Sequence, residues 1–213
     1  MTKWMHNVSV SIDISGIIWH ARRMPPETDI DRRDAILDAA FGVFASYGYR
    51  RTTMEDIARA AGLSRSALYL HFRNKEDIFR SLTHRHFDTS MAGMEAALHG
   101  AGQTAEAALF AAFVAKDGAL IEMIFATPHG AELLDAGMSA VPDLVKTASA
   151  RATEVLCHWL EARGVPAELG PARGLAEVMV AALMGLKSTA RSLDELRSAQ
   201  RQLAGVMGRA LAH

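Results

Sequence analysis

Residues 52–79 read "TTMEDIARAAGLSRSALYLHFRNKEDIF" and place two short amphipathic segments on either side of a glycine. The first segment opens with the spacing Thr52-x-x-Glu55, which is typical of a capping box and predicts the start of a helix. Gly62 can adopt the positive φ that ends this helix. Ser64 then predicts the N-cap of a second, very short helix. This stretch therefore predicts two helices joined by a tight turn.

The turn between these helices has the features of a helix-turn-helix motif. Two helices that cross steeply need small residues where their backbones meet, and Ala58 and Gly62 provide that clearance. In such a motif the second helix lies in the DNA major groove, with its N-terminal residues at the base edges. A helix this short is not stable alone, so neighbouring helices must hold its outward face in place.

Composition favours an all-α protein with local rather than global affinity for DNA. The 213 residues are 50% hydrophobic and 22% charged, with alanine, leucine and other helix-forming residues prominent after the first twenty positions. The net charge is −1, whereas residues 50–75 carry six basic and two acidic side chains, a difference of +4. Such a cationic segment supplies the salt-dependent attraction that DNA binding requires. Cys157 is the single cysteine, which excludes an intrachain disulfide and a thiolate metal cluster.

The remaining periodicity predicts helices along most of the chain. The first begins near Asp29, with Asp29 or Asp31 as its N-cap, and ends at Gly48; a fourth is capped by Asn74 and runs to about Leu98. Further helices are predicted at about 104–116, 118–126, 129–138, 141–163, 168–192 and 194–211. We divide the chain into an N-terminal arm (1–28), a helix-turn-helix domain (29–80) and a helical domain (81–213). The arm is either a mobile extension or the product of a start codon assigned too early.

The same stretch resembles the DNA-binding domain of the tetracycline-repressor (TetR) family of bacterial regulators. The resemblance is carried by the paired threonines, the Ala-Gly turn, the run Leu-Tyr-x-His-Phe and the run Asn-Lys-Glu, over about residues 30–80. It implies an N-terminal three-helix DNA-binding domain joined to a C-terminal bundle that dimerises and binds a ligand. The implied function is a dimeric, sequence-specific transcriptional regulator with a two-fold symmetric double-stranded DNA operator. We expect a repressor that a small, mostly apolar ligand releases from this operator; activation is the alternative.

The resemblance also implies roles for individual residues. The expected DNA-contacting residues are Thr52, Thr53, Ser64, Arg65, Ser66, Tyr69, His71 and Lys75. Arg65 and Ser66 are expected to face bases, because arginine can bind guanine O6 and N7 together. The threonines, Tyr69, His71 and Lys75 are expected to contact phosphates. Many relatives carry glycine at the position of Ser66, which bears on the base contacts and not on the fold.

The C-terminal helices suggest a dimer interface and a ligand pocket. Apolar residues at helical spacing in the last two helices form either a homodimer interface or an intramolecular core. The candidate lining of a ligand pocket is Phe110, Phe113, Met123, Phe125, His129, His158, Trp159 and Met179. Because these side chains are mostly apolar, a small apolar or aromatic effector is expected.

Several classes of function are not favoured. The sequence contains no nucleophile elbow, phosphate-binding glycine loop or HExxH motif, so we predict no enzyme, no catalytic residues and no cofactor. No set of residues has metal-ligand spacing. The sequence offers neither a convincing signal peptide nor a membrane-spanning segment, so a cytoplasmic protein without a membrane partner is predicted. The competing hypothesis is a helical small-molecule-binding or interaction module without DNA binding.

Overall fold

The computed structural model describes residues 28–100, 102–127 and 129–212, and these residues form α-helices, one 3-10 helix and no strand. The predicted all-α class is therefore confirmed. The expectation for residues 1–27 lies outside the described residues. Among the described helices, none combines the length and the apolar character needed to cross a membrane.

The helices are α1 (Asp29–Tyr47), α2 (Met54–Ala60), α3 (Arg65–Tyr69), α4 (Lys75–Leu98), α5 (Ala105–Ala126), α6 (Gly130–Ala140), α7 (Pro142–Arg163), α8 (Ala172–Thr189) and α9 (Leu193–Ala210). The 3-10 helix (Ala167–Leu169) and Pro171 precede α8, so this helix starts later than the predicted residue 168.

Helix caps follow the sequence closely, with two corrections. Ser64 and Asn74 cap α3 and α4 as predicted, and Gly48 ends α1 with φ 81°. The N-cap of α1 is Thr28, which forms a capping box with Asp31, one of the two residues predicted to be the cap. The capping box of α2 likewise lies one residue later than predicted.

The cap of α2 is Thr53, paired with Asp56, and not Thr52 with Glu55. Thr52 cannot cap α2, because it is buried and its hydroxyl donates a hydrogen bond of 2.8 Å to the Gly48 carbonyl. Spacing alone cannot distinguish two adjacent threonines, each followed three residues later by an acidic residue.

Helix α5 contains the break predicted near Gly118. This glycine has φ 62° and ψ 179°, so the chain bends sharply there between two helical halves. Side chains are disfavoured at this φ, and a Cβ would lie 3.1 Å from the Ser90 hydroxyl and 3.2 Å from the His86 ring. The kink thus brings α5 close to the middle of α4.

Two apolar cores hold the helices together. One lies among α4, α5, α7, α8 and α9, around Phe113, Leu156 and Met179. The other lies among α1 to α4 and continues through Ile121, Leu133 and Leu196 into later helices. The three N-terminal helices therefore share a core with the bundle, which gives a direct mechanical path between them.

Candidate nucleic-acid interface

The turn between α2 and α3 is a Schellman motif. The Leu63 N–H donates to the Ala58 carbonyl at 2.9 Å and the Gly62 N–H donates to the Arg59 carbonyl at 3.2 Å. Gly62 has φ 69° and no atom within 4 Å of where a Cβ would stand. A glycine is therefore needed here for its backbone conformation and not for space.

Helix α3 is fixed from below by apolar side chains. Leu68 is 0% exposed and Phe72 is 1% exposed in the core beneath it. Five residues cannot form a stable helix in water, so this burial and the Ser64 cap together define its orientation. The outward face then presents Arg65, Ser66 and Tyr69 to solvent, as the sequence predicted.

The exposed side chains of α3 contact one another. The Arg65 guanidinium lies 5.6 Å from the centre of the Tyr69 ring, and its hydrogen bond to Tyr69 raises the pKa of Arg65. Ser64 accepts from the Ala67 N–H at 3.1 Å and lies 3.0 Å from the Ser66 hydroxyl. These contacts limit the rotamers of a polar face whose donors remain accessible.

Lys75 does not offer its ammonium to phosphate as expected. Its Nζ donates to the carbonyls of Tyr49, Arg50 and Thr52 at 2.9, 3.0 and 3.0 Å. All three protons of the ammonium are therefore used, and Lys75 anchors the loop that leads into α2. The Thr52 hydroxyl is likewise buried and bonded to the Gly48 carbonyl, and its phosphate contact stays a prediction.

His71 likewise faces the protein. Only 13% of its side chain is exposed, and its Nδ1 lies 3.2 Å from a carboxylate oxygen of Asp29. Arg33 donates to the His71 carbonyl and stacks 4.2 Å from the centre of the Phe72 ring. These contacts join the end of α3 to α1, and the phosphate contact of His71 stays a prediction.

Other cations surround the outward face. Arg59 and Arg73 form exposed ion pairs with Asp56 and Asp77 at 3.6 and 3.7 Å. Arg51 is exposed and forms no ion pair with any described residue. Exposed pairs of this kind are weak in water and can exchange for phosphate contacts. The surface therefore has the charge and shape of a DNA-binding face.

Comparison with known proteins agrees with this geometry. Residues 36–82 match the family model described as bacterial regulatory proteins, tetR family. The chain is also 31% identical over 183 residues to the HTH-type transcriptional repressor ComR of Escherichia coli K12, covering 77% of this chain and 83% of that protein. The chain belongs to the TetR family.

Other transcriptional regulators are similar over parts of the chain or in fold. The HTH-type transcriptional activator FasR of Mycolicibacterium smegmatis is 38% identical over 68 residues, 32% of this chain and 31% of that protein. A transcriptional regulator from Rhodococcus sp. Rha1 has the same fold, with a TM-score of 0.64 at 20% identity over 83% of this chain and 96% of that one. Its family membership makes this protein a DNA-binding transcriptional regulator.

The TetR-family bundle of this chain contains a cavity of about 640 Å³ between α1, α4, α5, α6, α7 and α8. Most of its walls are apolar. They include Phe41, Phe79, Leu82, Phe87, Met91, Leu120, Ile121, Ile124, Phe125, Leu133, Val145 and Met184. Polar side chains from His86, Lys116 and Lys187 reach the same space. A volume of this size accommodates a small organic molecule.

The predicted pocket residues lie mostly elsewhere. Phe125 lines the cavity, whereas Phe113, Trp159 and Met179 are buried in the other core. The remaining four, Phe110, Met123, His129 and His158, do not line it either. Trp159 donates from its indole nitrogen to the Leu98 carbonyl at 3.0 Å, and Phe110 lies under the Arg201 guanidinium, so both have structural roles.

The cavity residues that sequence reasoning missed come largely from α4 and the kinked part of α5. His86, Lys116 and Lys187 are among them. The two lysines are not predicted from the sequence, because a lysine in a helix is usually exposed. Two lysines interrupting otherwise apolar helices were the available signal. Among the described residues there is no group of three or more potential metal ligands of the His, Cys, Asp or Glu type.

Proposed function

We propose that this protein is a homodimeric repressor that leaves a two-fold symmetric DNA operator when a small, mostly apolar ligand occupies the cavity. The observation that carries the DNA-binding part is the exposed Arg65–Ser66–Tyr69 face of α3, held by a buried Leu68 and a Schellman turn. Arg65 reads bases, Ser66 assists it, and Tyr69 contacts the phosphate backbone. Thr53 and Ser64, both exposed N-caps, place the free N–H groups of α2 and α3 near phosphates.

Dimerisation through α8 and α9 is supported by the apolar side chains these helices leave in water. Val178 of α8 and Val206 of α9 are 56% and 54% exposed, so each helix offers an apolar side chain outside the core. Leu175, Met179 and Leu183, in contrast, face that intramolecular core. The interface is therefore expected on the opposite side of α8, and a second copy would bring a second α3 to the operator.

Two contacts connect the cavity with the DNA-facing motif. Helix α4 lines the cavity with Leu82 and Phe87, and its first residue, Lys75, holds the loop before α2. Helix α6 lines the cavity with Leu133, and its Glu132 accepts a hydrogen bond of 3.1 Å from the Arg50 N–H in the same loop. A ligand that shifts α4 or α6 therefore moves the motif.

The energy required for release is modest. The dimer can adopt two conformations that differ in the distance between its two α3 helices. A ligand changes operator affinity only if it binds one of these conformations more tightly than the other. A tenfold release needs about 1.4 kcal/mol of differential binding. Repression rather than activation is proposed because the relative that covers most of the chain is named a repressor.

The DNA-binding proposal is tested by footprinting the purified protein on the DNA upstream of its own gene. The protected fragment is then titrated with the protein in gel shifts to measure its affinity. Arg65→Ala should weaken binding about tenfold or more, since a bidentate base contact is worth about 1–3 kcal/mol. Arg163→Ala, which removes an exposed arginine of α7, is the matched control and should bind normally. Equal affinities for both variants would refute the assignment of α3, and a single unsymmetric half-site would refute the dimer.

A further inference from the structure

The charged side chains near the bend of α5 at Gly118 do not all have a partner of opposite charge. Lys187 donates to the buried carboxylate of Asp117 at 2.5 Å, so these two neutralise each other. Asp117 is further held by Gln200 at 2.6 Å and lies 3.7 Å from Arg197. Arg197 is itself paired with Glu122 at 3.0 Å. Every charge in this group therefore has a partner within the protein.

Lys116 is the exception. It lines the cavity next to these groups, yet it forms no hydrogen bond or ion pair with any described residue. Burial, followed by the charge of Lys187, lowers the pKa of Lys116 to about 8. His86 supplies no negative charge either, since a histidine is neutral or cationic; burial lowers its pKa to about 4, so it is neutral near pH 7. The Asp117 carboxylate opposes the lowering of the Lys116 pKa but is already paired with Lys187, so the Lys116 ammonium has no ion-pair partner of its own among the described residues.

The rest of the cavity offers a large apolar surface beside Lys116. Phe87, Leu120, Phe125 and Val145 belong to its walls. The other charged lining residues are Lys187, which is paired with Asp117, and Asp135 and Arg191, which are exposed and opposite in sign. A ligand that fills this space must cover apolar walls and meet Lys116 at one point. An uncharged ligand would desolvate the ammonium further without replacing its water, which is unfavourable.

We infer that the effector is an amphipathic monoanion, whose aromatic or aliphatic body lies against Phe87 and Phe125 and whose carboxylate or sulfonate binds Lys116. This inference rests on the proposed function in taking the cavity as the effector site, and it adds the charge of the ligand. A charge-assisted hydrogen bond inside a partly dehydrated cavity is stronger than one in water. The anion should therefore bind at least tenfold more tightly than its neutral counterpart.

Two fluorescent dyes that differ by one group test the inference. Anilinonaphthalene sulfonate carries an anion, and phenylnaphthylamine is the same aromatic skeleton without it. Both are titrated into the full-length protein by fluorescence. We expect the sulfonate to bind the wild-type protein at least tenfold more tightly than it binds Lys116→Met. The affinities of the neutral dye for the two proteins should agree within about twofold.

Matched variants locate the effect. Lys146→Met removes an exposed lysine of α7 that does not line the cavity, and it should leave both dyes unchanged. Ala148→Phe adds volume to the cavity wall and should weaken both dyes alike. Lys116→Gln, which keeps a polar group without charge, serves as a second variant if Lys116→Met does not fold, as judged by circular dichroism.

The outcomes separate the inference from the proposed function. If both dyes bind in the cavity and neither variant of Lys116 changes their ratio, the anionic effector is refuted while the cavity remains the ligand site. If Lys146→Met lowers the sulfonate affinity as much as Lys116→Met does, general surface charge explains the binding and the inference fails. If Ala148→Phe affects neither dye, the cavity is not the ligand site, and both proposals fall.

Discussion

The DNA-facing motif and the ligand cavity of this protein are built in opposite ways. The motif is a continuous stretch of 28 residues, 52–79, in which each cap and turn is formed by neighbours along the chain. The cavity takes its walls from α1, α4, α5, α6, α7 and α8, with residues as distant as Phe41 and Arg191. The motif therefore depends on backbone conformation and capping, whereas the cavity depends on long-range packing and on charges that balance across helices.

The strongest test of this contrast is Asp117→Asn. Asp117 is 3% exposed and is the shared partner of Lys187 and Arg197. Removing one partner from a buried ion pair typically costs about 3–5 kcal/mol because the other charge is left without compensation. Urea denaturation should show a loss of this size.

Asp135→Asn, an exposed cavity residue, is the control and should change the free energy of unfolding by less than about 0.5 kcal/mol. Equal stability of wild type and Asp117→Asn would show that this charge network does not hold the bundle together.

Acidification should lower the free energy of unfolding by a slightly smaller amount, through the protonation of His86. Burial is the main cause of the lowered pKa of about 4; Lys187 and Lys116 lower it further and Asp117 opposes them. The unfolded chain binds this proton near pH 6.5 and the folded protein only near pH 4, so stability is full above about pH 6.5 and is lost as pH falls toward 4. The loss amounts to about 3 kcal/mol at most.

Urea denaturation between pH 7 and 4 checks the sign and the size. His86→Gln should remove most of this dependence, whereas His158→Gln, at an exposed position of α7, should keep it. A wild-type protein that grows more stable on acidification over this range would contradict the buried neutral histidine.

Within the motif, Gly62→Ala should cost about 1–2 kcal/mol, because a side chain at φ 69° is strained even though the space is open. Gly42→Ala is its opposite. That glycine lies in α1 with no atom within 4 Å of a Cβ, and alanine there should stabilise by about 0.5–1 kcal/mol. Thermal unfolding of both variants measures the two signs. The same sign for both would mean that the turn tolerates another backbone conformation.

The smallest expected change distinguishes an anchoring lysine from a phosphate-contacting arginine. Lys75→Met should weaken operator binding by loosening the loop before α2, yet leave the salt slope of log K unchanged, since its ammonium already bonds three carbonyls. Arg51→Met should reduce that slope by about 1. Gel shifts over a salt series measure both. If Lys75→Met also reduced the slope, Lys75 would contact a phosphate directly, as the sequence predicted.

The sequence was most informative where structure is local. Gly48, Gly62, Ser64 and Asn74 end or begin helices as predicted, because a cap bonds to residues three or four positions away. The N-cap of α2 was predicted one residue too early. Thr52 and Thr53 have the same side chain, and because Thr52 bonds to the Gly48 carbonyl in the loop, Thr53 is the cap. The sequence also assigned Lys75 to phosphate, since a lysine at a helix start gives no sign of which carbonyls lie near it.

For the cavity, the sequence indicated that the walls are mostly apolar but not which residues form them. Of the eight predicted pocket residues only Phe125 lines the space, because apolar periodicity identifies an inward face without stating whether it meets a neighbour or a void. Lys116 and Lys187 could not be assigned from local pattern, since their environment is set by α4, α5 and α8 together.

Thus the sequence by itself determined the helical class, the DNA-facing motif and the family, since caps, turns and periodicity act over a few residues. The tertiary structure alone decided which polar groups remain free: it directs Lys75 and His71 into the protein, leaves Arg65 in water, and brings Lys116 to an apolar cavity. The physical reason is that a hydrogen bond or ion pair between distant residues depends on packing, which no short stretch of sequence encodes.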